Sequence, residues 1–193
     1  MAEENENEPI PDISKVLAII DIFPVLFACV TLFTINSIFK YIIFLIGAIF
    51  VVIGGLSMIL YKFILAFFGN NYPIIKKPMI ICMSIGFILF ITSIILKRNE
   101  IEFKKIWSRL TQKKLSLTFL ILGICGMICM GIFAMTLDSK LSSTNYLEEI
   151  TNSFGQGCFM IVAILYKINL KEEIIIGDQS PEVKEEKTEM SEV

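Results

Sequence analysis

The residues best placed to do chemistry in this sequence are one acid and one polar stripe, both set in apolar surroundings. Asp21 lies inside the apolar run Lys15–Ile35, on a helical face with Pro24, Ala28 and Thr31. A charge at the centre of a membrane-spanning helix costs about 2.5–3.5 kcal/mol on insertion scales, so such an acid is a functional-site hypothesis that needs a partner. Asp21 follows Lys15 by about 9 Å of helix, which brings it nearer the interface and lowers that cost. Lys15 is off its face. Gln156 and Lys167 in the last run are the candidate partners.

That last run, SFGQGCFMIVAILYKINL, is the least apolar. At 100° per residue, Asn152, Ser153, Gln156, Met160, Ala163 and Lys167 fall on one side. Lipid cannot satisfy a polar stripe, so it faces other helices or water. Interhelical packing is the plain reading, and a substrate-lining face is the sharper one. Asp21, Asn152, Gln156 and Lys167 are therefore the candidate transport or helix-contact residues.

Enzyme chemistry finds little to use. The chain has no His, which excludes His-based acid–base catalysis and Ser–His or Cys–His pairs. Apart from Asp21 no acid lies within an apolar run, so paired intramembrane carboxylates are not expected. All five Cys (29, 82, 125, 129 and 158) sit in apolar runs, where a thiol behaves as a small hydrophobe. Cys125 and Cys129 share a face at i, i+4, but without His no metal site is expected. No Gly-rich phosphate loop is present. The expectation is a protein that is not an enzyme, with no catalytic, metal or cofactor-binding residue.

The elements that carry these residues follow from composition. Hydrophobic residues make up 55% of the chain, and the mean hydropathy is +0.73. Five runs concentrate the excess: 15–35, 41–60, 79–96, 115–137 and 153–170. Each fits the roughly 17–25 residues of a spanning helix. They lack the alternation of barrel strands, and a backbone in lipid must satisfy its own hydrogen bonds, so helices follow. The expected fold is an all-α membrane protein, a bundle of five transmembrane helices. The alternative has four spans and a re-entrant first run. Glycine-bearing faces on the second and fourth runs (Gly47 and Gly54; Gly123 and Gly126) suit close helix packing.

The connections are short. Residues 36–40 form a tight hairpin, Gly69-Asn70-Asn71-Tyr72-Pro73 is a strong turn signal, and 138–152 reads as a polar loop. The tails at 1–13 and 171–193 are acidic, poor in apolar residues, and expected to be disordered. Between them, residues 14–170 form the membrane domain. The start MAEENENEP is acidic where a signal peptide is basic, so the first run is expected to be retained.

Residues 97–114, KRNEIEFKKIWSRLTQKK, hold seven of the 17 Lys and Arg residues and the single Trp. Phe103, Ile106, Trp107 and Leu110 fall at i, i+3, i+4 and i+7, on one helical face. With Lys104, Lys105 and Arg109 they make a basic amphipathic helix suited to a membrane interface and to anionic lipid headgroups. The bilayer explains this charge better than nucleic acid does. Lys and Arg resist translocation. With five spans, ten cations fall on the side of this loop and five on the other, which makes the loop and the C-terminal tail cytoplasmic. The function expected is that of a non-catalytic accessory, scaffold or trafficking component that packs with other membrane proteins or itself. The alternative is a small transporter or channel using Asp21 and the polar stripe. Which membrane houses it does not follow from the sequence.

Overall fold

The computed structural model describes residues 13–101, 103–136 and 142–178. The acidic segments 1–12 and 179–193, and Asp138 and Lys140 of the last connection, lie outside the described residues. The described chain is helical with no strand: α1 Lys15–Ile20, α2 Ile22–Phe39, α3 Ile42–Phe68, α4 Pro73–Leu96, α5 Phe103–Gln112, α6 Lys114–Thr136 and α7 Ser142–Asp178. Five helices among the described residues are long and apolar enough to cross a membrane: Lys15–Phe39, Ile42–Phe68, Lys77–Leu96, Lys114–Phe133 and Ser143–Glu172.

The first of these is α1 and α2 together, interrupted at Asp21. Pro24 has no N–H to give the Ile20 carbonyl, so the helical ladder lapses just before it. Pro24 then sits in the first turn of α2, where a missing donor costs nothing. Beyond it the helix runs on to Phe39, so the chain does not double back within this run as a re-entrant segment would.

Two tight corners follow. Lys40 ends α2 in the left-handed region (φ 55°), its N–H bonding the Asn36 carbonyl at 2.7 Å. Gly69 ends α3 at φ 69°, and Pro73 opens α4 in its first turn. This matches the turn signal in the sequence, but α3 runs to Phe68, past the expected end at residue 60. At 27 residues α3 is about 40 Å long, against about 30 Å of bilayer hydrocarbon.

The last helix departs further from expectation. Residues 142–152, read in the sequence as loop, are the start of α7, and residues 171–178, read as tail, are its end. The 37 residues span about 55 Å. Partners at both ends account for the extension: Tyr146 and Glu149 bond to other helices at one end, and Glu172 meets Lys113 at 3.1 Å at the other.

Packing lays the long helices in a row: α4 on α3, α3 on the first helix, the first helix on α7, and α7 on α6. The first helix in the chain is the central one. Glycines set the closest approaches. A Cβ on Gly86 would meet Val51 Cγ2 at 2.7 Å and the Gly47 carbonyl at 2.9 Å, which fixes the α3–α4 crossing. A Cβ on Gly126 would meet Gly155 Cα at 3.0 Å, which fixes α6 on α7. Sequence neighbours run antiparallel, whereas the first helix and α7 run parallel (Asp21 near Glu149, Phe27 near Gly157). The row therefore has two distinct ends. One holds Asp21, Lys62, Glu149 and the Gly69 turn. The other holds Lys40, α5, Lys113 and Glu172.

Candidate functional site

The break at Asp21 frees its side chain from capping duty, and the chain uses it elsewhere. Leu17, Ala18, Asp21 and Pro24 form the buried face of the first helix. Asp21, only 7% exposed, accepts a hydrogen bond from Lys62 Nζ of α3 at 2.9 Å. The same nitrogen donates to Glu149 Oε1 of α7 at 2.6 Å. Three helices thus meet on one ammonium. Lys62 lies on the α3 face that also buries Gly55 and Leu65, and Gly55 is the point where α3 closes on Val25 of α2. That close approach brings the lysine within reach of Asp21.

Depth makes the cluster tolerable. Asp21 is about 9 Å along its helix from Lys15, Glu149 about 10 Å from the start of α7, and Lys62 about 30 Å from the start of α3. All three therefore sit near the same end of the row rather than at its middle. The cluster still has two carboxylates for one ammonium, and Glu149 Oε2 is buried with no hydrogen-bond partner among the described residues. Buried ion pairs add little net stability, but removing one partner is costly because it strands the other. Their value here is geometric, since each charge fixes the position of a different helix.

Contacts around the cluster reinforce that end. Ser14 accepts from the Leu17 N–H as the N-cap of α1, and its hydroxyl also hydrogen-bonds the Tyr146 hydroxyl of α7. Tyr61 donates to Asn71 Oδ1 in the turn at 3.2 Å, and Lys15 lies 5.4 Å from the centre of the Phe67 ring.

The other sequence candidates lie elsewhere. Asp21 meets Lys62 rather than Lys167 or Gln156. Lys167 is about 27 Å further along α7 than Glu149. Asn152 is half-buried one turn beyond Glu149. Gln156 reaches Met127 Sδ at 3.9 Å and lines a separate cavity. The four residues therefore do not form one site. Lys62 and Glu149 were missed by sequence reasoning, although a signal existed. One turn back along the Asn152–Ser153–Gln156 stripe is Glu149, and about two turns on from Gly54 is Lys62.

At the opposite end, α5 forms over Phe103–Gln112 as its periodicity requires, and buries none of its residues fully. Its apolar face divides. Phe103 and Trp107 are 56% and 59% exposed, while Ile106 and Leu110 turn towards the bundle. They roof a cavity of about 310 Å³ between α2, α6 and α7. Lys104 and Lys105 are exposed and Arg109 is half-buried. Lys97 lies over the Tyr41 ring at 5.3 Å and bonds Glu100 at 2.5 Å, a contact that raises its pKa above the ordinary lysine value. No cluster of three metal-ligating side chains occurs among the described residues.

No protein-family model matches this chain, no curated protein matches its sequence, and no solved structure matches its fold. Function must therefore be argued from its own residues.

Proposed function

We propose that this chain is a multi-pass integral membrane protein that acts as a non-catalytic accessory, scaffold or trafficking component, assembling sideways with other membrane proteins or with itself. One observation carries the reading. Among the described residues, α4 packs on α3 alone, and α6 meets only α7 and α5. Both flanks present long apolar faces: Ile80, Ile81, Phe87 and Ile88 on α4, and Ile121, Ile124, Ile128 and Ile132 on α6. Water cannot cover such faces. Lipid or further helices do, and small residues such as Gly131, with nothing within 4 Å of its would-be Cβ, suit helix approach.

The chain carries its own probe, because Cys125 and Cys129 are exposed on α6 while Cys158 is buried. Bismaleimide treatment of intact membranes is expected to give discrete cross-linked species that disappear in Cys125→Ser/Cys129→Ser. Monomer alone, at every reagent concentration, would count against lateral assembly.

The cation balance favours α5 and the C-terminal tail in the cytoplasm and the N-terminal tail outside. Protease treatment of sealed vesicles tests this with an N-terminal tag. Removal of the tag only from the cytoplasmic side would reverse the orientation. Trp107 is expected to be quenched by shallow lipid-attached quenchers rather than by aqueous iodide.

A second reading, transport, is favoured by the buried cluster and its extra carboxylate. Under it, Asp21→Asn abolishes flux of ions or solutes into proteoliposomes. Absence of flux in the unsubstituted protein removes the reading.

A further inference from the structure

We propose that the cavity beneath α5 holds one acyl chain of a single anionic phospholipid, whose headgroup lies against the basic side of that helix. The inference rests on the membrane reading above and adds a ligand to it.

The lining sets the chemistry of the buried part. Ile35 and Ile38 of α2, Ile106 and Leu110 of α5, and Phe159 and Ala163 of α7 supply apolar walls. The Thr31 hydroxyl, also in the wall, is already committed to the Phe27 carbonyl at 2.8 Å. No charged side chain lines the space. Its volume of about 310 Å³ lies at the small end of the roughly 300–1,000 Å³ typical of ligand sites. That suits a hydrocarbon chain and leaves no room for a headgroup.

The headgroup must then sit at the rim, where charge decides which lipid binds. Helix α5 carries Lys104, Lys105 and Arg109 and no acid, and Lys114 follows it, whereas Lys113 is paired with Glu172 of α7. On α7, Lys167 comes directly after the lining residue Tyr166. An anionic headgroup is complementary to this rim and a zwitterionic one is less so. The divided face of α5 fits the same arrangement. Ile106 and Leu110 close over the chain, while Phe103 and Trp107 remain outside for the surrounding lipid.

The test uses the full chain in phosphatidylcholine nanodiscs. A minor fraction of phosphatidylglycerol carries a photoactivatable group near the end of one acyl chain. Expected is saturable labelling of peptides containing Ile35 or Ala163, displaced by unlabelled phosphatidylglycerol and not by phosphatidylcholine. Lys105→Gln/Arg109→Gln, which removes two charges from the basic side of α5 and keeps polar side chains there, should weaken the anionic preference about tenfold or more. Ala163→Trp, which fills the cavity, should remove the labelling while the protein stays monodisperse. Labelling that never saturates, or is equal for the zwitterionic lipid, or is unchanged in both variants, means ordinary boundary lipid and overturns the proposal. Displacement by a free fatty acid as effective as by phosphatidylglycerol also overturns it, because the headgroup would then not be read. Release of the protein from native membranes by alkaline carbonate is a separate result, and it would remove the membrane reading itself.

Discussion

The two ends of this row of helices hold charge in opposite ways. At one end three charged side chains are buried and shared among three helices, two carboxylates on one ammonium. At the other, charge is plentiful but peripheral, arranged along a short helix above an apolar hollow. The first arrangement has a single geometry, because moving any one helix strands a charge in a poor dielectric. The second has no such constraint, since exposed cations exchange partners and salt bridges at little cost. The tied end fixes three helices against one another, and the basic end carries no comparable buried tie among the described residues. The number of cations is thus a poor guide to where a membrane protein is rigid.

The sharpest way to break this contrast is Lys62→Met, which leaves two buried carboxylates with no cation. Loss of one partner from a buried pair costs about 3–5 kcal/mol, read as a lowered unfolding transition of the full chain in nanodiscs. Adding Asp21→Asn and Glu149→Gln should recover much of that loss. If Lys62→Met unfolds like the unsubstituted protein, the cluster does not tie that end.

Next in size is Gly86→Leu, whose Cβ has no room against Val51 and the Gly47 carbonyl. Overpacking of this kind costs about 1–3 kcal/mol. Gly131→Leu, in open space, should cost nothing, because leucine has the higher helix propensity, and an equal loss at both positions would mean that the close approach at Gly86 is not what is being measured.

The two corners give a smaller, paired effect. Gly69→Ala places a side chain in the left-handed region and should cost about 1 kcal/mol. Lys40→Gly relieves the same strain and should stabilise by less, since glycine also loses more entropy on folding. Smallest of all, Lys105→Gln/Arg109→Gln should leave the unfolding transition within about 0.5 kcal/mol. A larger shift would place a structural tie at the basic end as well.

The sequence made the helices plain and their arrangement obscure, for physical reasons. Length and hydropathy are local, so the five runs, the Gly69–Pro73 turn and the periodicity of Phe103, Ile106, Trp107 and Leu110 could all be read directly. Lys62 and Glu149 were hidden because hydropathy treats a charge as a boundary. It closed the second run at residue 60 and opened the fifth at 153, and so put both residues in loops. Their partners make them interior. Those partners are 41 and 87 residues away, and no local pattern reports such a separation. The order of the row was equally invisible, because nothing in the first run's composition marks it as the central helix.

That central position has a consequence for how the chain is made. Synthesis proceeds at about 5–20 residues per second, so Asp21 emerges roughly 2–8 s before Lys62, which follows 41 residues later. Glu149, 87 residues beyond Lys62, comes later still. During that interval the nascent first helix carries an acid whose cation has not yet been made. The helix at the middle of the finished array is thus the first to wait, and the last helix to be made completes its surroundings.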